Sequence, residues 1–139
     1  LSGFLSRSYI ERILGDDKGY IDEEIYVNLL HDVITALAEQ DNVVLIGRGG
    51  QYILSNFTGA YHVLLVAEET DRIKFIEETY NLSQNRAAQI VAERENRRVA
   101  LYKKFGKEDY NQPHLYHLTL NMSRLLLEEA LNQILLLVR

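Results

Sequence analysis

The chain has 139 residues, 47% apolar and 25% charged, with a net charge of −5 from 20 acidic and 15 basic side chains. That profile fits one soluble domain, 1–139, with a real core, and its acidic balance speaks against a nucleic-acid coat. It contains no cysteine, which excludes disulfides, thiolate chemistry and Cys-based zinc.

The first segment carries Gly3, Gly15 and Gly19 and one short amphipathic run, 4–14, read as a helix followed by a loop. In the next, Ile25, Leu29, Leu30, Val33, Ile34 and Leu37 recur every three or four positions, which predicts a helix over 21–40 capped by Asp22. The uninterrupted β-branched run 43–47 predicts a buried strand, 51–55 a helical turn and 61–67 a second strand. Continuous rather than alternating apolar runs favour a parallel sheet covered on both faces. A helix over 69–80 follows, and Ser83 caps a long helical segment running toward Gly106. The polar stretch 107–113 holds the one proline, 115–121 is a third short strand, and 125–138 a closing helix. Strands alternating with helices make the fold class α/β. No apolar run is long enough to span a bilayer and no secretory pattern is visible, so the expected setting is cytoplasmic, with no membrane partner.

In open α/β sheets, ligands bind beyond the carboxyl ends of the strands. Gly47, Arg48, Gly49 and Gly50 fall there after the first strand, and helix-start amides beside a guanidinium suit a phosphate or carboxylate. Equally, Arg48 pairs with a structural carboxylate and the glycines only turn the chain. Arg94, Arg97 and Arg98 share one face of the long helix. They read either as a phosphate-clamping set or as a solvated face on which Glu93 and Glu95 supply local pairs. His31, His62, His114 and His117 have no metal-site spacing, so no metal ligands are assigned. Ser123 has no companions in a nucleophile motif, and the nine tyrosines form no stacking platform for single strands.

Four segments in order, VVLIGRGGQYIL, YHVLLVAEETDRI, NLSQNRAAQIVAERENRRVALYKKFG and LYHLTLNMSRLLLEEAL, resemble the cytidylate kinase-like family of P-loop nucleoside monophosphate kinases over roughly 21–139. The resemblance implies that Arg48, with Gly47 and Gly49, contacts the phosphate of an acceptor nucleotide and that Arg72 lies near it. Arg94, Arg97 and Arg98 would act catalytically from a mobile lid, 84–112. Asn121 and Ser123 would border the base of the donor nucleotide, with ATP and Mg²⁺ serving the full-length parent. Such chemistry needs positive charge around the equatorial oxygens more than a covalent nucleophile.

The family's glycine-rich phosphate loop, GxxxxGK[ST], occurs nowhere in the sequence; GDDKGY at Gly15 is no substitute. A helix-capping serine of the family is replaced by Leu126. The resemblance therefore implies an incomplete P-loop kinase-like three-layer fold, a C-terminal portion whose N-terminal strand and phosphate loop are missing. That strand would lie between 43–47 and 61–67, so either another copy or segment fills the gap or these two strands pair directly; self-association is expected. Three functions follow in order: part of a kinase acting on a nucleoside monophosphate, plausibly CMP, with this chain alone inactive; a non-catalytic nucleotide- or anion-binding or assembly module; and a purely structural domain.

Overall fold

The computed structural model describes residues 23–139; the helix expected at 4–14 and the Asp22 cap lie outside them. Helix α1, Glu23–Ala38, buries Tyr26, Leu30, Val33 and Ile34 as one stripe and carries Glu23 and Glu24 in its first turn, where the helix dipole favours negative charge. It leads into Asp41 and Asn42, both with positive φ; the Asp41 carboxylate accepts the N–H of Asn42 at 2.8 Å.

The run 43–47, expected as a buried strand, is not one. Residues 43–46 form no regular structure, and Val44 and Ile46 are each 89% exposed. Their β-branched side chains suit extended backbone, but a ladder needs a neighbour to take its N–H and C=O groups. No described strand pairs with this segment.

The described residues group into two compact units. The first takes in those up to Ala60 together with Leu101–Lys107. Its core is Tyr26 and Leu30, packed by Leu29, Ile53, Leu101 and Phe105. Helix α2, Gly50–Ile53, buries Gln51, whose amide donates to the Tyr102 hydroxyl at 3.0 Å. The Tyr52 ring packs on Tyr102 and Phe105 at 6.0 and 6.5 Å between centroids.

The second unit comprises Tyr61–Ala100 and Glu108–Arg139. Strands β1, Val63–Val66, and β2, Leu118–Asn121, pair in parallel with Val63 opposite Leu118 and Val66 opposite Asn121. Both are shorter than the runs 61–67 and 115–121 suggest. Before β2, Pro113–Leu115 makes a 3-10 turn with proline at its start, where the ring's fixed φ fits. The direct pairing of 43–47 with 61–67 does not occur: β1 pairs with β2. Nor is the sheet covered on both faces: Leu120 is buried on one, where its register partner Leu65 is still 53% exposed, and on the other Thr119 and Asn121 are exposed.

Helix α3, Glu69–Tyr80, ends at Asn81 in the left-handed conformation. Helix α4, Gln84–Lys104, begins where the Ser83 hydroxyl accepts the N–H of Arg86 at 3.4 Å, the expected cap. Ile76 of α3 meets Ala87 and Val91 of α4, with Ile73, Leu82 and Ile90 around them. The candidate lid 84–112 is thus one helix of 21 residues plus a loop. Helix α5, Leu127–Leu137, starts at Leu126, whose side chain has no acceptor to offer. The Glu129 carboxylate instead accepts the Leu126 N–H at 2.8 Å, so half of a capping box remains. The described residues make a helix-rich α/β fold with one two-stranded parallel sheet. No described helix is long and apolar enough to cross a membrane.

Ile76→Ala is expected to cost about 2–5 kcal/mol, the range for opening a cavity in a packed core. Val44→Ser should stay within about 0.5 kcal/mol, as for an exposed site. Urea unfolding of both variants checks this; equal losses would mean that 43–46 is buried.

Candidate anion-binding site

The loops that follow β1 and β2 leave from the carboxyl ends of parallel strands. They are tied to each other. The Met122 N–H donates to the Val66 carbonyl at 2.7 Å, the Glu68 N–H to the Ser123 hydroxyl at 2.8 Å, and Arg124 to the Glu68 carboxylate at 3.0 Å. The Asn121 side-chain oxygen accepts the Ser123 N–H at 3.0 Å. Asn121 and Ser123, expected to border a donor base, therefore spend these acceptors on closing the loops.

In the first unit, Gly47, Arg48 and Gly49 all have positive φ, at 72°, 60° and 77°. Glycine adopts this region freely; an arginine there costs roughly 1–2 kcal/mol. Gly49 is needed twice over, since a Cβ would stand 2.8 Å from Cζ of Phe105. Gly47 is needed for its φ alone, because the space around it is open. The expected contribution of helix-start amides falls away: α2 has only four residues, too few to build an appreciable dipole. What the turn presents is the exposed guanidinium of Arg48, which makes no ion pair among the described residues.

In the second unit, two of the predicted arginines converge. Arg72, on α3, donates from Nη1 to Oε2 of Glu95 at 3.1 Å. Arg98 donates from Nη2 to the same oxygen at 2.5 Å. The Tyr110 hydroxyl lies 3.5 Å from the other carboxylate oxygen, Oε1, and the Arg98 guanidinium sits 5.7 Å over the Tyr110 ring. The Tyr116 hydroxyl donates to the Tyr110 main-chain carbonyl, which anchors the backbone of that loop residue. The Arg72 Nε is enclosed and has no acceptor among the described residues. Arg94 lies 5.9 Å over the Tyr80 ring, and Arg97 is exposed on the same helix face.

The Arg98 hydrogen bond above all, helped by its charge and by Arg72 and opposed by partial burial, holds the Glu95 carboxyl below its ordinary value of 4.5. The solvated-face alternative, in which Glu95 supplies a local pair on α4, thus holds for Arg98. The bond from Arg72 crosses from another helix, and neither it nor Tyr110 was visible in sequence. Arg48 with its glycines belongs to one unit, and Arg72, Arg94, Arg97 and Arg98 belong to the other.

A shallow depression of about 560 Å³ lies between α3 and the start of α4, lined by Thr70, Ile73, Lys74, Glu77 and Asn81 among others. None of the predicted site residues borders it, and Lys74 there pairs loosely with Glu78 at 3.9 Å. It has neither the enclosure nor the converging donors of a ligand site. Among the described residues no group of three His, Asp or Glu stands where it would hold a metal.

A model of the cytidylate kinase-like family matches residues 1–124. The chain belongs to that family. The match takes in the first segment, outside the resemblance read from the motifs, and stops short of α5. A crystal structure of an uncharacterized protein from Eubacterium ventriosum superposes with a TM-score of 0.69 at 12% identity, covering 99% of this chain and 77% of that one. At that identity the likeness concerns the fold alone. No curated protein matches the chain.

Gly49→Ala should lower the melting temperature more than Gly47→Ala, because only the former must also displace the Phe105 ring; the two melting curves compare them directly. Glu95 gives a pH prediction. Its folded carboxyl titrates below its unfolded value, so its contribution is complete above about 4.5 and is lost as pH falls through the lowered folded value. Stability of the wild type should therefore fall more steeply than that of Glu95→Gln below that pH, as measured by urea unfolding at stepped pH.

Proposed function

We propose that this chain provides the acceptor side of a phosphoryl-transfer protein, binding the phosphate of a nucleoside monophosphate, CMP first, through its arginines. The observation that carries the reading is the convergence of Arg72 and Arg98 on one oxygen of Glu95, in a chain of the cytidylate kinase-like family. Two guanidiniums and a tyrosine hydroxyl around one carboxylate form an oxyanion receptor. Arg94 and Arg97 add charge on the same helix face, although the whole molecule is acidic. Arg48 would offer a separate phosphate contact from its strained turn, where a costly backbone conformation is held between two glycines.

ATP and Mg²⁺ belong to the full-length parent in this reading, since the sequence has no GxxxxGK[ST] to cradle donor phosphates. On its own this chain is predicted to be inactive. The same fact favours a second reading, a nucleotide- or anion-binding module without catalysis.

Both readings predict ligand-induced stabilisation. A ligand that binds only the folded state at 100 times its Kd adds about 2.7 kcal/mol. Melting with millimolar CMP should therefore rise by several degrees, melting with cytidine should not, and Arg98→Ala should abolish the response. Turnover of CMP and ATP by the purified chain would contradict the assignment of an acceptor side alone. Indifference to CMP and phosphate would leave only the structural reading.

A further inference from the structure

We propose that Glu95 is a built-in competitor for the anion site: its carboxylate holds Arg72 and Arg98 until an incoming phosphate displaces it. The inference rests on the anion-site reading above and adds a regulatory contact to it. Glu95 is here a positioning residue, not a catalytic one.

The geometry favours displacement over permanent pairing. Both guanidiniums reach the same oxygen, Oε2, while among the described residues Oε1 has the Tyr110 hydroxyl alone, at 3.5 Å. Arg72 reaches this carboxylate with one nitrogen, without the two-bond fork that gives such pairs their strength. Arg72 also keeps its Nε enclosed with no acceptor among the described residues, a donor still to be satisfied. A carboxylate has two oxygens for three converging donor groups. A phosphate has three peripheral oxygens and nearly twice the charge, so each group would find an acceptor of its own.

The contact is also weak enough to exchange. The side chains of Arg72, Glu95 and Arg98 are 36%, 35% and 44% exposed, so water stands ready to solvate a released carboxylate, and half-exposed ion pairs contribute little net stability. Among the described residues, the groups that reach the Glu95 carboxylate are Arg72 from α3, Arg98 from its own helix and Tyr110 from the following loop, and releasing Glu95 turns the donors it now holds toward the anion. A resting state thus keeps two arginines ordered and neutralised, and the ligand inherits donors already in position.

The test is titration calorimetry of wild type, Glu95→Gln and Arg98→Ala with inorganic phosphate and with CMP, at constant ionic strength. Glu95→Gln keeps the shape and removes the competing charge. It should bind both probes about 1.5- to 5-fold more tightly, the range expected when an exposed ion pair no longer has to be broken, and Arg98→Ala should lose binding. Wild-type binding with Glu95→Gln equal or weaker would overturn the competitor role and leave the anion site standing. Absence of binding by every variant would overturn the anion site and the competitor role together.

A second readout does not depend on a variant folding. The ¹³C carboxyl resonance of Glu95 in the wild type should titrate below the usual glutamate range without ligand. In saturating phosphate its midpoint should rise toward that range as the arginines leave. A purely structural Glu95 would keep the same midpoint in both conditions, which would contradict displacement.

Discussion

The packing of Ile76 against Ala87 and Val91 is the constraint on which the arginine cluster depends. Ala87 is fully buried, and its small side chain lets α3 and α4 approach closely enough for Ile76 to fill the space between them. Arg72 lies one helical turn before Ile76, and Glu95 one turn after Val91. The apolar contact thereby brings a guanidinium of one helix to a carboxylate of the next. A pair joined by residues 23 apart in sequence exists because a hydrophobic seam was formed first. Its electrostatics are a consequence of burial elsewhere.

Charge is distributed unevenly in this molecule. The chain is acidic overall, yet two guanidiniums meet at the one carboxylate of Glu95, and Arg94, Arg97 and Arg98 occupy one face of α4. Tyrosine rings carry part of this load, under Arg94 and Arg98, where the ring face attracts a cation without neutralising it. A cationic group stacked in this way keeps its charge for an anion, whereas one in an ion pair must exchange partners. The cluster contains both kinds.

The helices were legible in the sequence because their signals are local. The apolar period of α1, the Ser83 cap and the glutamates in first turns all act within a turn or two of where they are written. The strands were half legible. Runs such as 43–47 and 61–67 both announce extended backbone, but only the second finds a neighbour, and pairing is decided by residues far away in the chain. Of the candidate site, the Arg98–Glu95 pair was implicit in a three-residue spacing, while Arg72 and Tyr110 joined it through tertiary contacts that no spacing encodes. Gly49 shows a mixed case. Its turn role was evident, but its close approach to Phe105 was not.

The most direct measurement of the central claim is a ³¹P NMR titration of CMP with the protein. An arginine receptor for the phosphate predicts a saturable shift and broadening of the CMP resonance, reversed by excess inorganic phosphate and absent with Arg98→Ala. A resonance that stays unchanged at millimolar protein would contradict the account, and the arginines of α3 and α4 would then be a structural ion-pair cluster.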